Sequence, residues 1–145
     1  MELKLLPADG ADLAFARELT RVNMRVYYAQ YARVWQPDAF DAEWGARQSF
    51  IIGKDGKPVG FISLSHEPEY LYVRDVQLCE PFRGEGIGAW VLAQISGMAQ
   101  AQAMTCIRLK VFKSNPAVEL YRRQGYAVVG QEPSLLWMER KVELG

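Results

Sequence analysis

The sequence has few of the residues that build disulfides and metal sites. Its 145 residues include two cysteines, Cys79 and Cys106, and one histidine, His66. These three residues do not have the spacing of a metal-ligand motif, so no metal site is predicted. Such sparse cysteine use is typical of a reducing compartment. We therefore expect two buried, reduced thiols in a cytoplasmic protein.

The chain also lacks an excess of either charge and a long apolar run. Seventeen Lys and Arg balance seventeen Asp and Glu, so the formal net charge is zero. Nucleic-acid-binding domains are usually basic, and no nucleic-acid partner is expected. The N-terminus has no signal-peptide pattern. Residues 86–107 carry no charge but contain too many Gln, Ser and Thr for a membrane span. They predict a buried helix that leads into a strand, with no membrane contact.

The hydrophobic pattern predicts a single α/β domain over residues 1–145. The predicted order of elements is β-α-α-β-β-β-α-β-α-β-β. A strand, a helix and a strand after residue 70 require a parallel crossover, whereas an earlier hairpin predicts antiparallel pairs. The expected architecture is a mixed central sheet flanked by about four helices. The last strand, LLWMERKV, is taken as an edge strand that can pair in a homodimer.

The segment PFRGEGIGAW, residues 81–90, places three glycines between a predicted strand and a predicted helix. Glycine destabilises regular structure, so its repeated use here points to a need for bare backbone. The first turn of a helix has unpaired N–H groups and a partial positive charge, which together attract anions. Without side chains at Gly84, Gly86 and Gly88 a phosphate can approach the backbone, and Arg83 adds a cation. The segment predicts a diphosphate site; the alternative is a tight turn without a ligand.

A dinucleotide site is a weaker interpretation of the same segment. Residues 84–89, GEGIGA, match the pattern G-x-G-x-x-A. A Rossmann site also needs an acidic residue at the end of the next strand to bind the ribose. That strand is IRLKVFK, which is basic, so a nicotinamide-dependent oxidoreductase is disfavoured.

Two motifs resemble those of the GNAT N-acetyltransferases. Residues 83–88, RGEGIG, look like the family signature Q/R-x-x-G-x-G/A. Residues 115–121, NPAVELY, followed by Gly125 and Tyr126, are similar to its second motif. The order of predicted elements resembles the family from end to end. The resemblance implies a GNAT acyl-CoA N-acyltransferase fold, acetyl-CoA as co-substrate and no metal.

The resemblance also implies roles for particular residues. The end of the strand at Leu78 and Glu80 would pair its main chain with the pantetheine arm, and the Leu78 N–H would stabilise the oxyanion. Asn115 would hold the coenzyme arm, or it is an ordinary N-cap before Pro116. Tyr121 would protonate the leaving thiolate, or it is a core tyrosine. The coenzyme A pyrophosphate would bind the backbone of Arg83, Gly84, Glu85, Gly86, Ile87 and Gly88.

The implied reaction is direct attack of a primary amine of a small molecule or peptide on the thioester. The amine must first lose a proton, and the sequence does not single out the base. Asp75 is predicted as a catalytic residue together with Tyr121 and Leu78, and it is the candidate base. Glu80, Glu67, Glu69 and His66 are alternatives. Family members that acetylate ribosomal-protein N-termini commonly have a glutamate where this chain has Lys110, which disfavours that substrate class.

Aromatic residues are dense in the first two predicted helices. By the same resemblance these helices form the acceptor wall, and aromatic rings bind cationic amines. The predicted acceptor residues are Tyr27, Tyr28, Tyr31 and Trp35. Core packing against the sheet is the alternative. A non-catalytic acyl-CoA-binding or interaction module with the same fold is the alternative to an enzyme.

Overall fold

The computed structural model describes residues 1–143 and follows the predicted order of elements. The strands are β1 Leu3–Pro7, β2 Gln48–Lys54, β3 Lys57–His66, β4 Tyr70–Leu78, β5 Cys106–Phe112, β6 Ala127–Gln131 and β7 Leu135–Lys141. The helices are α1 Leu13–Gln30, α2 Pro37–Trp44, α3 Ile87–Ala101 and α4 Ala117–Arg123. The α/β prediction, with a mixed sheet and four helices, is confirmed over residues 1–143.

The seven strands within residues 1–143 form one sheet in the order β1-β2-β3-β4-β5-β7-β6. Strands β4 and β5 pair in parallel through residues 70–73 and 106–109, as the crossover through α3 requires. Strand β7 pairs antiparallel with β5 on one side and with β6 on the other. The prediction that the last strand lies at an edge of the sheet is therefore wrong. Strand β6 lies at the edge, and β7 lies between β5 and β6. A homodimer through LLWMERKV loses its basis.

The described residues cluster in two compact units, and β3 and β4 contribute to both. The first unit contains residues 1–64 and 75–85. Its hydrophobic core joins α1 and α2 to β2 and β3 through Ala16, Phe40, Trp44, Ile51 and Phe61. Pro37 begins α2, where its missing N–H costs nothing. Arg17 of α1 fixes α2 by donating two hydrogen bonds to Asp41, at 2.8 and 2.9 Å.

The second unit contains residues 65–74 and the chain from residue 86 onward. Helix α3 packs on β5 with one apolar face. The buried residues of that face are Ile87, Val91, Leu92, Ile95 and Ala99. Gln94, Gly97 and Gln100 are exposed, so the uncharged segment is a one-sided helix and not a fully buried one.

The two cysteines are free, and Cys106 is buried as predicted. Cys79 is only half-buried, which corrects the expectation for that thiol. Burial raises the pKa of both thiols, so both stay protonated and poorly nucleophilic near neutral pH. Among residues 1–143, no helix is both long and apolar enough to cross a membrane.

Candidate active site

The glycine loop, residues 83–88, has the backbone conformation that its sequence suggests. A short 3-10 turn at Glu80–Phe82 follows β4, and α3 begins at Ile87. Gly84 and Gly86 have φ values of +77° and +85°, in the left-handed region that other residues rarely adopt. A Cβ placed on either glycine would have no atom within 4 Å. The dihedral angles therefore require these glycines, and the space around them is open.

The third glycine of the loop has a different reason. A Cβ on Gly88 would lie 2.8 Å from Cδ2 of Leu120 in α4. Gly88 thus lets the first turn of α3 approach α4 closely. The missing side chain at Gly88 is explained by packing within the second unit, and it need not clear space for a phosphate.

The loop lies at the N-terminus of α3 and contains the ion-paired side chain of Glu85. The N–H of Trp90 donates to the carbonyl of Gly86 at 3.1 Å, which is the first turn of α3. The preceding N–H groups have no acceptor within the helix, which leaves partial positive charge at this end. The carboxylate of Glu85 would oppose an anion, but it pairs with Lys54. Lys54 also lies 5.2 Å from the ring centroid of Phe82.

The main chain of Leu78 lies on the edge of β4 that faces away from β3. The N–H of Cys79 donates to the carbonyl of Val59 in β3 at 2.8 Å. Because backbone groups alternate sides along a strand, the Leu78 N–H and C=O point the other way. On that side the described ladder with β5 covers only residues 70–73 of β4. Among residues 1–143 this ladder does not reach Leu78, so the Leu78 N–H is placed to donate to an extended ligand, as in β-augmentation.

Asp75 is held in a buried polar cluster in the first unit. Its side chain is 15% exposed and its Oδ2 accepts from Nη1 of Arg47 at 3.0 Å. Its Oδ1 accepts from Nε2 of Gln77 at 3.1 Å. Burial raises the pKa of Asp75, outweighing the lowering by Gln77 and Arg47. Arg47 also pairs with the more exposed Glu43. Glu80, the other residue predicted near this strand end, is exposed to solvent.

Asn23 of α1 joins this cluster, although the motifs did not identify it. Its Nδ2 donates to Oε1 of Gln77 at 3.1 Å and to the carbonyl of Leu78 at 3.0 Å. Its Oδ1 accepts from Nη2 of Arg83 at 2.6 Å. The only signal in the sequence was a polar residue near the apolar side of the helical pattern.

In the second unit, Asn115 caps a helix. Its Oδ1 accepts from the N–H of Ala117 at 2.9 Å. Pro116 is the N-cap residue of α4, so Asn115 bonds the first helical N–H from one position before the N-cap that the alternative assigned to it. This bond uses the acceptor oxygen of Asn115 and not its amide N–H donors.

Tyr121 is buried on α4, and its ring centroid lies 5.7 Å from that of Tyr126. The Tyr126 hydroxyl is buried and has no hydrogen-bond partner among residues 1–143. Burial raises the pKa of Tyr126 far above its ordinary value, and the charge of Tyr121 adds to this effect. Tyr126 is therefore a core residue whose phenol stays protonated near neutral pH.

The predicted acceptor residues separate into two groups. Tyr28 and Trp35 are in edge-to-face contact, with ring centroids 5.9 Å apart. Trp35 also packs on Phe40, so core packing accounts for part of its surface, but its Nε1 is buried without a partner among residues 1–143. Tyr27 and Tyr31 are half-buried at the C-terminal end of α1.

The phenol of Tyr28 interacts electrostatically with the carboxylates of Asp75 and Glu43. Burial raises the pKa of Tyr28, Arg33 lowers it, and the charges of Asp75 and Glu43 raise it further. The phenol thus lies within electrostatic reach of Asp75. In residues 1–143, no three His, Cys, Asp or Glu side chains lie close enough to hold a metal ion.

Comparison with known proteins gives a consistent family. The model of the Acetyltransferase (GNAT) family matches residues 16–126. A streptothricin acetyltransferase from Streptomyces lavendulae is 28% identical over 102 residues, which are 68% of this chain and 54% of that protein. The chain thus spans about half the length of this curated relative.

Solved structures share the fold. The PaiA N-acetyltransferase of Thermoplasma acidophilum, in complex with coenzyme A, has a TM-score of 0.78 at 17% identity and covers 97% of this chain and 99% of its own. An acetyltransferase from Thermus thermophilus has a TM-score of 0.78 at 19% identity, with 97% of each chain covered.

Proposed function

Because this chain belongs to the GNAT family of acetyltransferases, we propose that it transfers the acetyl group of acetyl-CoA to a primary amine of a small molecule or peptide. Family membership supports acetyl-CoA as the co-substrate. The observation that carries the proposal is the loop 83–88, in which two left-handed glycines with open surroundings lead into the first turn of α3. We treat residues 1–145 as a single acetyltransferase domain.

The coenzyme pyrophosphate binds the backbone N–H groups of residues 83–88 in this proposal. Arg83, Gly84, Glu85, Gly86, Ile87 and Gly88 contribute main chain, and Arg83 contributes charge. Hydrogen bonds from N–H groups to an ionised acceptor are worth about 1.5–3 kcal/mol each, so a few of them anchor a diphosphate. The ion pair between Lys54 and Glu85 supports this role because it offsets the one acidic side chain of the loop.

The pantetheine arm runs along the edge of β4 that faces away from β3, next to Leu78 and Glu80. The Leu78 N–H then donates to the thioester oxygen as it becomes an oxyanion. Asn115 keeps its capping bond and donates its amide N–H groups to the coenzyme arm. Tyr121 donates its phenolic proton to the sulfur of the leaving group.

The steps conserve atoms and protons. A base removes one proton from the ammonium form of the acceptor, and the neutral nitrogen forms a bond to the acetyl carbon. The tetrahedral intermediate collapses as the C–S bond breaks. The thiolate takes the proton of Tyr121, and Tyr121 regains one from the nitrogen. The products are an acetamide and free coenzyme A.

Asp75 is the proposed base, acting directly or through a water molecule. Arg47 and Gln77 fix its two oxygens, as a base needs if its geometry is to be constant. The raised pKa makes its carboxylate a better proton acceptor than an ordinary aspartate. In its ionised form, the Glu43–Arg47–Asp75 cluster carries one net negative charge, which favours a cationic acceptor.

Tyr27, Tyr28, Tyr31 and Trp35 form the proposed acceptor wall. Of these four residues Tyr28 has the strongest support, because its ring contacts Trp35 and the charge of Asp75 raises its pKa. Similarity to a streptothricin acetyltransferase makes streptothricin the first acceptor to test. Lys110 is engaged by Glu132 at 3.0 Å, and this residue in place of a glutamate makes ribosomal-protein N-termini the least favoured class.

The proposal is tested by thiol release from acetyl-CoA, followed with a chromogenic thiol reagent. The acceptor panel contains streptothricin, polyamines, aminoglycosides, amino acids, and peptides with a free N-terminus or lysine. We expect turnover with at least one amine and a product mass increased by one acetyl group. Coenzyme binding without turnover across the panel would instead favour the binding-module alternative. Absence of both would contradict the proposal.

A further inference from the structure

Asn23 hydrogen-bonds three partners from the active-site strand and loop, through its amide donors and its amide oxygen. Its two donor bonds go to the Gln77 side chain and the Leu78 carbonyl, and its single acceptor oxygen takes the Arg83 bond. The side chain is half-buried on α1. Sequence separations of 54, 55 and 60 residues make these tertiary contacts and not local helix chemistry.

The orientation of each amide in this chain of bonds follows from chemistry. A carboxylate only accepts, so Gln77 must present Nε2 to Asp75 and Oε1 to Asn23. Asn23 must then donate to Gln77 and also to the Leu78 carbonyl, which only accepts. Arg83 only donates, so it must meet the Asn23 oxygen. Reversing Asn23 would oppose like groups at every contact, so this amide has one stable orientation.

The three bonds converge on the two elements that the proposed reaction needs. Leu78 is the residue whose N–H is proposed to meet the oxyanion, and Asn23 holds the carbonyl of the same residue, in the adjoining peptide unit. Arg83 opens the glycine loop and is exposed to solvent. A long exposed arginine would otherwise sample many rotamers, and the bond to Asn23 restricts them. Asn23 of α1 thereby holds both the end of β4 and the side chain of Arg83.

We propose that Asn23 is a positioning residue for acetyl transfer, which sets the end of β4 for the oxyanion and Arg83 for the coenzyme phosphates. This proposal rests on the proposed function, because it assigns Asn23 to the same site. It predicts two separable effects, one on the acetyl step through Leu78 and one on coenzyme affinity through Arg83.

Two substitutions separate these effects. Asn23→Ala removes all three bonds, so we expect the dissociation constant for acetyl-CoA to rise and kcat to fall, each about tenfold. Asn23→Asp keeps an acceptor for Arg83 but places a carboxylate against two acceptor oxygens. We expect it to keep acetyl-CoA affinity within about threefold and to lose kcat at least as strongly as Asn23→Ala. A residue that only stabilises the fold would not produce this split.

A double-mutant cycle identifies the path through Arg83. In an Arg83→Met background, Asn23→Ala should no longer change the acetyl-CoA dissociation constant, since the partner is gone, but it should still lower kcat. Val26→Ala, at a position of α1 that is 61% exposed, is the matched control and should change neither quantity. Dissociation constants come from calorimetry and kcat from thiol release.

The outcomes distinguish this proposal from the one it rests on. If the wild-type chain neither binds acetyl-CoA nor acetylates any amine, the proposed function fails. If the wild type is active and both Asn23 variants stay within twofold in acetyl-CoA affinity and kcat, the role of Asn23 is overturned while the function stands. If Asn23→Ala does not fold, the nearly isosteric Asn23→Asp, with its kcat loss at retained affinity, decides the question.

Discussion

The glycine loop and the polar cluster, which contains Asn23, Arg47, Asp75, Gln77 and Arg83, contribute to one proposed site in two different ways. The loop acts through its backbone, and six consecutive residues, 83–88, carry its chemistry. The cluster acts through side chains that are far apart in sequence and meet only in the folded unit. The loop should therefore be disrupted by substitutions that change its dihedral angles or fill its space. The cluster should be disrupted by substitutions that change a charge or remove a hydrogen bond.

The largest expected effect is on the loop. Gly86→Glu introduces a side chain at a φ of +85° and a negative charge at the proposed phosphate site. We expect acetyl-CoA binding to fall more than ~100-fold, because several charge-assisted bonds are lost together. Calorimetry measures the effect. Gly97→Glu is the matched control, since Gly97 is an exposed position on α3 with open space around it, and its affinity should equal the wild type. Equal loss in both variants would contradict the assignment.

The next effect concerns the two neighbouring tyrosines. Tyr121→Phe removes the proposed acid, and we expect kcat to fall about 10²-fold with acetyl-CoA affinity unchanged, as for a lost general acid. Tyr126→Phe removes a buried hydroxyl that has no partner among residues 1–143, so kcat should not change. Steady-state kinetics beside calorimetry gives both values. Equal kcat for Tyr121→Phe and the wild type would exclude the acid role.

A smaller effect is expected in the polar cluster. In the wild type, kcat/KM should rise with pH as Asp75 ionises, at a pH above the usual aspartate range because its pKa is raised. Asp75→Asn should remove this acidic limb and lower kcat/KM about tenfold or more. A pH–rate profile between pH 4 and pH 9 measures it. An unchanged acidic limb in Asp75→Asn would assign the titration to another group.

The same cluster makes a prediction about stability. Asp75→Asn leaves the 12% exposed Arg47 without its buried counter-charge, which we expect to cost about 1–3 kcal/mol of unfolding free energy. Glu43→Gln removes the 58% exposed partner of the same arginine and should cost about 0–1 kcal/mol. Urea unfolding compares the two variants. A larger loss in Glu43→Gln would reverse the ranking of the two ion pairs.

The smallest effect returns to the loop. Gly88→Ala puts a methyl group 2.8 Å from the Leu120 side-chain end, which can shift. We expect a loss of about 1 kcal/mol in unfolding free energy or less, with acetyl-CoA affinity within about threefold of the wild type. Urea unfolding and calorimetry measure the two quantities. A loss of binding comparable to that of Gly86→Glu would show that Gly88 also clears space for the phosphate.

The sequence supported the order of elements and the glycine loop because both depend on local rules. The hydrophobic period and the Gly84–Gly86 spacing act over a few residues. Two features escaped that reasoning. The edge position of β6 depends on which strand fills the space beside β5, and Asn23 depends on contacts with residues 54 to 60 positions away. Gly88 shows a third limit, since a motif glycine can serve packing on Leu120.

In the proposed function, the backbone of residues 83–88 holds the coenzyme pyrophosphate. The most direct test follows the backbone amide signals of ¹⁵N-labelled protein by NMR during titration with coenzyme A, and separately with pantetheine, which lacks the phosphates. We expect the amide signals of Gly84, Gly86 and Gly88 to shift with coenzyme A and not with pantetheine, while the Leu78 amide signal shifts with both. Coenzyme A binding that leaves the loop amides unmoved would contradict it.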